Sequence, residues 1–365
     1  MAAVRPARHL ASLPPEILHL IAAAYIDDLH AVGTSNIASV LSSCPLLHDL
    51  VLPKLYASVH IYSLEQLVRF VAPASGAHKY CADYTRDALV VNIPGVPGGG
   101  DGTLYGPDAK THSRDRLTLV SRALALCPQV QKVSLEFFSI RHSEILTEAD
   151  FRTAEADAFA SAIAGLSRVT TLRWVPPRSD ANAIMGLSIV IVDQIIPALA
   201  KGLAGCTSLE TLELWNTMLP ATGGADLAEA LISIAHTRAQ QNPDAAAPLK
   251  FNLRSVTGLD PRSVSDLALA TPPVQVHIAD GFVGSIWGAR IDTIAVHECM
   301  RETLDPAGRT RSTGSSPSTS DTSSVSTGRV TTPELLIQDS IAKASQNVSI
   351  RILQGGIAGA RMFAH

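Results

Sequence analysis

Apolar positions from Leu117 onward alternate between two spacings. They first recur three or four residues apart, as on one face of a helix, and then alternate with polar residues, as on a half-buried strand. Three such units follow one another, with predicted strands at 130–135, 169–174 and 209–214. Their first residues, Val130, Val169 and Leu209, lie 39 and 40 positions apart. The pattern therefore predicts one helix and one strand per unit.

Similar elements are predicted on both sides of these units. Upstream, the pattern indicates a first strand at 59–62, a helix at 63–70 and a strand at 88–93; downstream, it indicates strands at 249–253 and 274–278. The predicted helices carry apolar residues at helical spacing: Leu117, Val120, Leu124, Phe159, Ile163, Leu227, Leu231, Ile234, Val264 and Leu267. The stretch from Ile291 to Met300 is compatible with either a helix or a strand. A glycine- and proline-rich connection, 94–107, lacks the lysine and helix that a phosphate-binding loop needs.

Stacked units of this kind place each strand beside the next in a parallel sheet and bury the apolar strand residues against the helices. The chain here resembles an irregular leucine-rich-repeat array. Its repeats are longer than the usual ~20–29 residues. Phe138, Pro177 and Thr217 replace the asparagine of the usual ladder position. The expected fold class is α/β, with a helix-strand solenoid around a parallel sheet and a small helical module before it.

The N-terminal stretch 10–56 predicts three short helices. Leu13-Pro14-Pro15-Glu16 opens the first, because proline is tolerated in a first helical turn and Glu16 sits near the positive helix end. An apolar stripe follows at Ile17, Leu18, Ile21 and Tyr25. Such short helices leave apolar surface uncovered, which usually indicates a protein partner.

These residues resemble an F-box, the module by which substrate receptors dock on the Skp adaptor of a cullin-type ubiquitin ligase. The resemblance rests on Leu13 to Leu18, on Ile21, and on the later run from Leu41 to Tyr56, which looks like the F-box-like proteins of filamentous and mushroom-forming fungi. It implies adaptor contacts by these residues: Leu13, Pro14, Glu16, Ile17, Leu18 and Ile21. The alternative is an ordinary helical cap on the following domain.

The expected domain organisation has four parts. Residues 1–58 form the F-box-like module and 59–306 the repeat domain. Residues 307–332 are rich in Ser, Thr, Gly and Pro, and they have too few large apolar residues to offset the entropy of ordering, so this insert is expected to be disordered. Residues 333–365 are expected to supply one more helix and strand that close the array.

Composition restricts the partners and the compartment. The formal net charge of −4 argues against a nucleic-acid groove. The five widely spaced cysteines fit reduced, buried thiols, and the N-terminus lacks the apolar core of a signal peptide, so an intracellular protein is expected, in the cytoplasm or the nucleus. The most apolar window, 184–204, is interrupted by Asp193, Pro197 and Lys201, which favours a buried helix kinked or restarted at Pro197 over a membrane span.

Motifs for catalysis are absent from the sequence, which has no nucleophile elbow, zinc-protease motif or dinucleotide fingerprint. His297-Glu298-Cys299 holds three possible metal ligands, but adjacent residues rarely reach one ion. We therefore expect no enzyme activity, cofactor or metal. Trp174 and Trp215 end aligned strands: Trp174 is either an anchor or part of the core, and Trp215, one residue out of phase, is the better candidate for binding a substrate.

The expected function is substrate recognition for a Skp-cullin-F-box ubiquitin ligase. The first module would bind the adaptor. The repeat surface would bind an unknown target protein. The alternative is a stand-alone repeat scaffold without ligase association.

Overall fold

A computed structural model describes residues 13–32, 41–42, 45–93, 109–136, 154–175, 195–241, 248–260, 263–264, 266–267, 270–283 and 290–291. Over these residues the chain is a mixed α/β structure built on a parallel sheet of seven strands. Several expectations concern residues outside these ranges: the connection at 94–107, the insert at 307–332, the closing unit at 333–365, the first half of the apolar window, and His297 to Cys299.

The sheet contains its strands in chain order, each hydrogen-bonded in parallel to the next. The strands are β1 (Ser58–Ile61), β2 (Ala88–Asn92), β3 (Lys132–Glu136), β4 (Thr171–Val175), β5 (Thr211–Trp215), β6 (Lys250–Arg254) and β7 (Gln275–Ala279). Two further short strands, β8 (Gly281–Phe282) and β9 (Arg290–Ile291), pair antiparallel with each other. Chain order without a reversal is the arrangement that the repeated helix-strand pattern predicts.

Two of the described α-helices precede the sheet, and the other six lie in the connections between its strands. The helices are α1 (Pro15–Val32), α2 (Pro45–Leu55), α3 (Leu64–Val71), α4 (Ala77–Tyr84), α5 (Ala109–Leu126), α6 (Ala154–Ala164), α7 (Ile196–Leu203) and α8 (Gly223–Gln241). Helices α5 to α8 pack each against the next. Because parallel crossovers share one hand, consecutive strands in chain order place these connecting helices on the same face of the sheet. The other face is called the open face below.

Strand register aligns the apolar residues into two rows that face the helices. One row contains Leu89, Val133, Leu172, Leu212, Phe251 and Val276. The other contains Val91, Leu135, Trp174, Leu214, Leu253 and Ile278. All but the half-buried Val276 are buried in the main core. At about 25 cal/mol per Å² of apolar area removed from water, these rows are the main stabilising feature of the sheet.

The first two helices have a small core of their own. Ala22 and Ile26 of α1 pack with Val51 of α2, and partly buried Leu41 and Leu55 complete the cluster. This cluster is separate from the main core under the sheet. The N-terminal helices thus form a unit with its own apolar centre, although the expected boundary at residue 58 stays a prediction.

Most predicted strands and helices begin and end within two residues of the observed ones. The helix that the sequence left as kinked or restarted at Pro197 begins at Ile196, with the proline in its first turn. Ser63 caps α3, its hydroxyl accepting from the Gln66 backbone N–H at 3.1 Å. Helix α4 was not predicted, because buried residues such as Ala77 and Cys81 have small side chains that give a weak periodic signal.

Cysteine usage agrees with the expected reduced thiols at the described positions. Cys81, Cys127 and Cys206 are free and buried, and the remaining two lie outside the described residues. The Cys206 thiol donates to the Ile163 carbonyl oxygen at 3.3 Å. Burial raises the pKa of Cys206 to about 12, so this thiol stays protonated at physiological pH.

No described helix combines the length and the apolar character that crossing a membrane requires.

Helices α6 and α7 are in close contact at Gly202. A Cβ atom there would lie 2.7 Å from the Ala160 carbonyl oxygen and 2.7 Å from Ile163 Cβ. Only glycine therefore allows this spacing, and the backbone contact links two neighbouring units of the helix layer.

We predict that Gly202→Ala lowers the free energy of unfolding by about 1–3 kcal/mol, because the added methyl pushes two packed helices apart. Urea denaturation measures the change. Gly224→Ala is the matched control: its new Cβ would have no neighbour nearer than Ser263 Oγ at 3.5 Å, so it should be neutral or stabilising. Equal stability of the two variants would contradict the close helix contact.

Candidate functional site

Helix α1 divides its residues between an interior and an exposed face. Pro14 lies just before the helix, and its carbonyl oxygen accepts from the Ile17 and Leu18 backbone N–H groups at 3.0 and 3.2 Å. One helical turn of 3.6 residues then places Leu18, Ala22 and Ile26 on one side, where each is at most 4% exposed. The opposite side faces solvent.

The exposed side carries large apolar residues. Ile17 is 43%, Leu20 67% and Ile21 40% exposed, and Leu13, just before the helix, is 37% exposed. Leu46 of α2 is exposed as well, at 41%. We call these five residues the apolar stripe. Isolated apolar side chains at a surface are common, but three within two turns of one helix form a candidate contact surface.

The structure corrects one residue of the expected adaptor surface. Leu18 is 2% exposed and belongs to the interior, because it lies about 100° around the helix from Ile17. Leu13, Pro14, Glu16, Ile17 and Ile21 lie at the surface as expected. Leu20 was missed, although its spacing of three from Ile17 places it on the same face.

A second candidate surface lies on the open face of the sheet. Arg173 pairs with Glu213 in the β4–β5 register, and Trp215 pairs with Arg254 in the β5–β6 register. Their neighbours along the strands, Leu172, Trp174, Leu212, Leu214 and Leu253, point to the helices, so these four side chains share the other face. We call Arg173, Glu213, Trp215 and Arg254 the arginine-tryptophan cluster.

The cluster is held together by charge and ring contacts. Arg173 Nε donates to Glu213 Oε2 at 2.8 Å, and both side chains are about a quarter exposed or less, at 26% and 21%. The Arg173 and Arg254 guanidinium carbons lie 5.0 and 5.2 Å from the centre of the Trp215 ring. Each cation-π contact at such a site contributes about 0.5–1 kcal/mol. The ring therefore holds in place two arginine side chains from β4 and β6, the strands on either side of β5.

The two strand-end tryptophans have different environments. Trp174 is 2% exposed and meets Phe159 of α6 edge-on, with ring centres 6.0 Å apart. It is thus part of the core, which resolves the two readings that the sequence left open. Trp215 is partly exposed on the open face, as its phase predicted. Its role in binding a substrate stays a prediction.

A buried carboxylate on the open face was not found from the sequence. Glu136, at the end of β3, is 0% exposed. Ser134 Oγ donates to its Oε1 at 2.8 Å, and Asn92 Nδ2 donates to its Oε2 at 3.1 Å. Hydrogen bonds of this kind offset the cost of burying the charge. The network ties the ends of β2 and β3 together, and the sequence carries no local signal for it, because Glu136 continues the ordinary polar alternation of β3.

Metal binding has no support within the described ranges, where no three His, Cys, Asp or Glu residues lie close enough to hold an ion. No protein-family model matches this chain, and no curated protein or solved structure matches it either. The apolar stripe and the arginine-tryptophan cluster are thus the two candidate functional surfaces of the described residues.

We predict that Trp174→Ala lowers the free energy of unfolding by about 3–5 kcal/mol, because it leaves a cavity between β4 and α6. Trp215→Ala should cost about 1 kcal/mol, because it removes ring contacts at a partly solvated surface. Chemical denaturation of both variants measures the difference. Equal losses would contradict the placement of the two rings on opposite faces of the sheet.

Proposed function

We propose that this protein is a substrate-recognition subunit of a cullin-type ubiquitin ligase. In this proposal the N-terminal helices dock on a Skp-type adaptor, and the open face of the sheet holds a target protein. The chain performs no chemistry itself and acts by positioning the target near the ligase. The apolar stripe is the observation that carries the proposal.

The distribution of exposed apolar residues supports an adaptor surface at the N-terminus. Among the described residues, seven large apolar side chains are exposed, and five of them form the apolar stripe. The stripe contains Leu13, Ile17 and Ile21, which also carry the resemblance to an F-box. Because Ala22, Ile26 and Val51 form a separate core beneath it, the stripe is not needed to hold the helices together. Its burial by a partner would be favourable, at about 25 cal/mol per Å².

The sheet supports a receptor built from repeated units. Strands in chain order with connecting helices on one face are the arrangement of a helix-strand solenoid, in which the strand face often binds a partner. Here that face displays the arginine-tryptophan cluster. A rigid sheet is suited to hold a target because its side chains are fixed by register and are ordered before binding.

The alternative function is a repeat scaffold whose N-terminal helices serve only as a cap. Contacts between α2 and α4 favour this alternative, as does the tilted ring pair of Tyr56 and Tyr80, whose centres lie 5.4 Å apart. These contacts attach the helical pair to the first unit of the sheet. A cap alone, however, gives no reason for the exposed apolar residues of α1.

We predict that the intact protein co-purifies with a Skp-type adaptor and that Ile17→Asp/Ile21→Asp weakens this association at least tenfold. Both side chains are substantially exposed, so the charges should disrupt docking rather than the fold. Tenfold corresponds to about 1.4 kcal/mol, less than the cost of leaving two carboxylates against an apolar partner. Affinity capture of purified components gives the readout, and circular dichroism confirms folding.

Val68→Asp is the matched control for this experiment. Val68 of α3 is 48% exposed, a fraction similar to that of Ile17, but it lies outside the pair of helices α1 and α2. The Val68→Asp variant should keep full adaptor binding. If the intact protein does not bind the adaptor, the scaffold function replaces this proposal. Equal loss in the Val68 variant would show that the stripe is not the docking surface.

A further inference from the structure

The arginine-tryptophan cluster places two arginine side chains around one partly exposed ring on the open face. We propose that it binds an acidic, extended segment of the target protein, with one carboxylate held by Arg254. This inference rests on the proposed use of the open face as the target surface, and it adds the chemical class of the segment bound there.

Charge on the open face differs from charge on the whole chain. The strand positions of this face carry four cations, Lys132, Arg173, Lys250 and Arg254, against two carboxylates, Glu136 and Glu213. Glu136 is buried under two hydrogen bonds, and Glu213 is paired with Arg173. The chain as a whole has a formal net charge of −4. Positive charge is therefore concentrated on this face, which complements an acidic partner.

Arg254 is the residue of this face best placed to receive a carboxylate. It is exposed, and within the described part of the chain it has no carboxylate partner. Its guanidinium group is held near the Trp215 ring, at 5.2 Å from the ring centre, so less conformational freedom is lost on binding. The planar fork of an arginine can donate two parallel hydrogen bonds to one carboxylate.

Trp215 and Arg173 extend the site beyond a single charge. Arg173 uses its Nε on Glu213, and the terminal nitrogens of its guanidinium group remain as further donors. Arg173 and Arg254 belong to strands on either side of β5 and lie two register positions apart along the strands, so their backbones are about 12 Å apart. An extended chain covers that distance in about four residues. Because alternate residues of an extended chain point to the same side, the site fits two acidic residues four positions apart, with an apolar side chain between them beside the ring.

The same ring contacts favour a peptide over a nucleic acid. Single-stranded nucleic acids bind by stacking bases on free aromatic faces. Arg173 and Arg254 approach the Trp215 ring from neighbouring strands on its two sides. A base would have to displace one of these guanidinium groups, whereas a carboxylate can bind to them where they are.

A random twelve-residue peptide library selected on the intact protein, without any adaptor, tests this inference. We expect the recovered peptides to be enriched in Asp and Glu. The best peptide, synthesised with a fluorescent label, should bind at least tenfold more weakly to Arg254→Gln. Its counterpart with Asn and Gln in place of the acidic residues should bind the intact protein equally weakly. Arg254→Lys, which keeps the charge but loses the fork, should give an intermediate affinity.

The controls separate this site from general electrostatics and from adaptor binding. Arg122→Gln removes an exposed arginine from α5, on the helix side, and should leave peptide affinity unchanged. Recovered peptides without acidic enrichment, equal weakening by Arg122→Gln, or tighter Arg254-dependent binding of a twelve-nucleotide single strand would each overturn the inference. Arg254→Gln should keep adaptor binding, because the apolar stripe is intact. Failure of the adaptor experiment alone would overturn the ligase proposal without changing the peptide result.

Discussion

Parallel register is the constraint on which the rest of this structure depends. Each strand is short, five residues for β2 to β7, and it pairs with its neighbours at matching positions, so two rows of apolar residues face the helices across the sheet. A shift of one residue in any strand would exchange the two faces of that strand. Leu172 and Leu212 would then face solvent, and Arg173 and Glu213 would enter the core. Burial of the apolar rows therefore also aligns the polar residues of the open face.

Helix α1, like the strands of the sheet, has one buried face and one exposed face. The exposed face of the strands is largely polar, whereas the exposed face of α1, opposite the one packed on α2, is apolar. The buried face of α1 carries Leu18 and Ile26 as well as Ala22, so both faces of this helix have large apolar side chains. The proposed docking surface is thus the apolar face of α1 that α2 leaves uncovered.

Sequence reasoning located the helix-strand units well because their period changes sharply, from helical spacing to alternation, at strands such as 209–214. It placed Trp215 on the face opposite the core solely because Trp215 is one residue out of phase with the buried positions of its strand. It misplaced Leu18, because a stripe drawn through neighbouring apolar residues does not show which side the partner helix covers. It missed Glu136, whose burial depends on Asn92, a residue 44 positions away that only the sheet brings near.

The central claim is that two separate surfaces serve two partners, the apolar stripe for the adaptor and the open face for the target. Hydroxyl-radical footprinting of the protein with and without a Skp-type adaptor tests it most directly, because it reports the accessibility of individual side chains. The account predicts that oxidation of Leu13, Ile17, Leu20 and Ile21 falls when the adaptor is added, while oxidation of Trp215 is unchanged. Protection of Trp215 by the adaptor, or unchanged oxidation of the stripe, would contradict it.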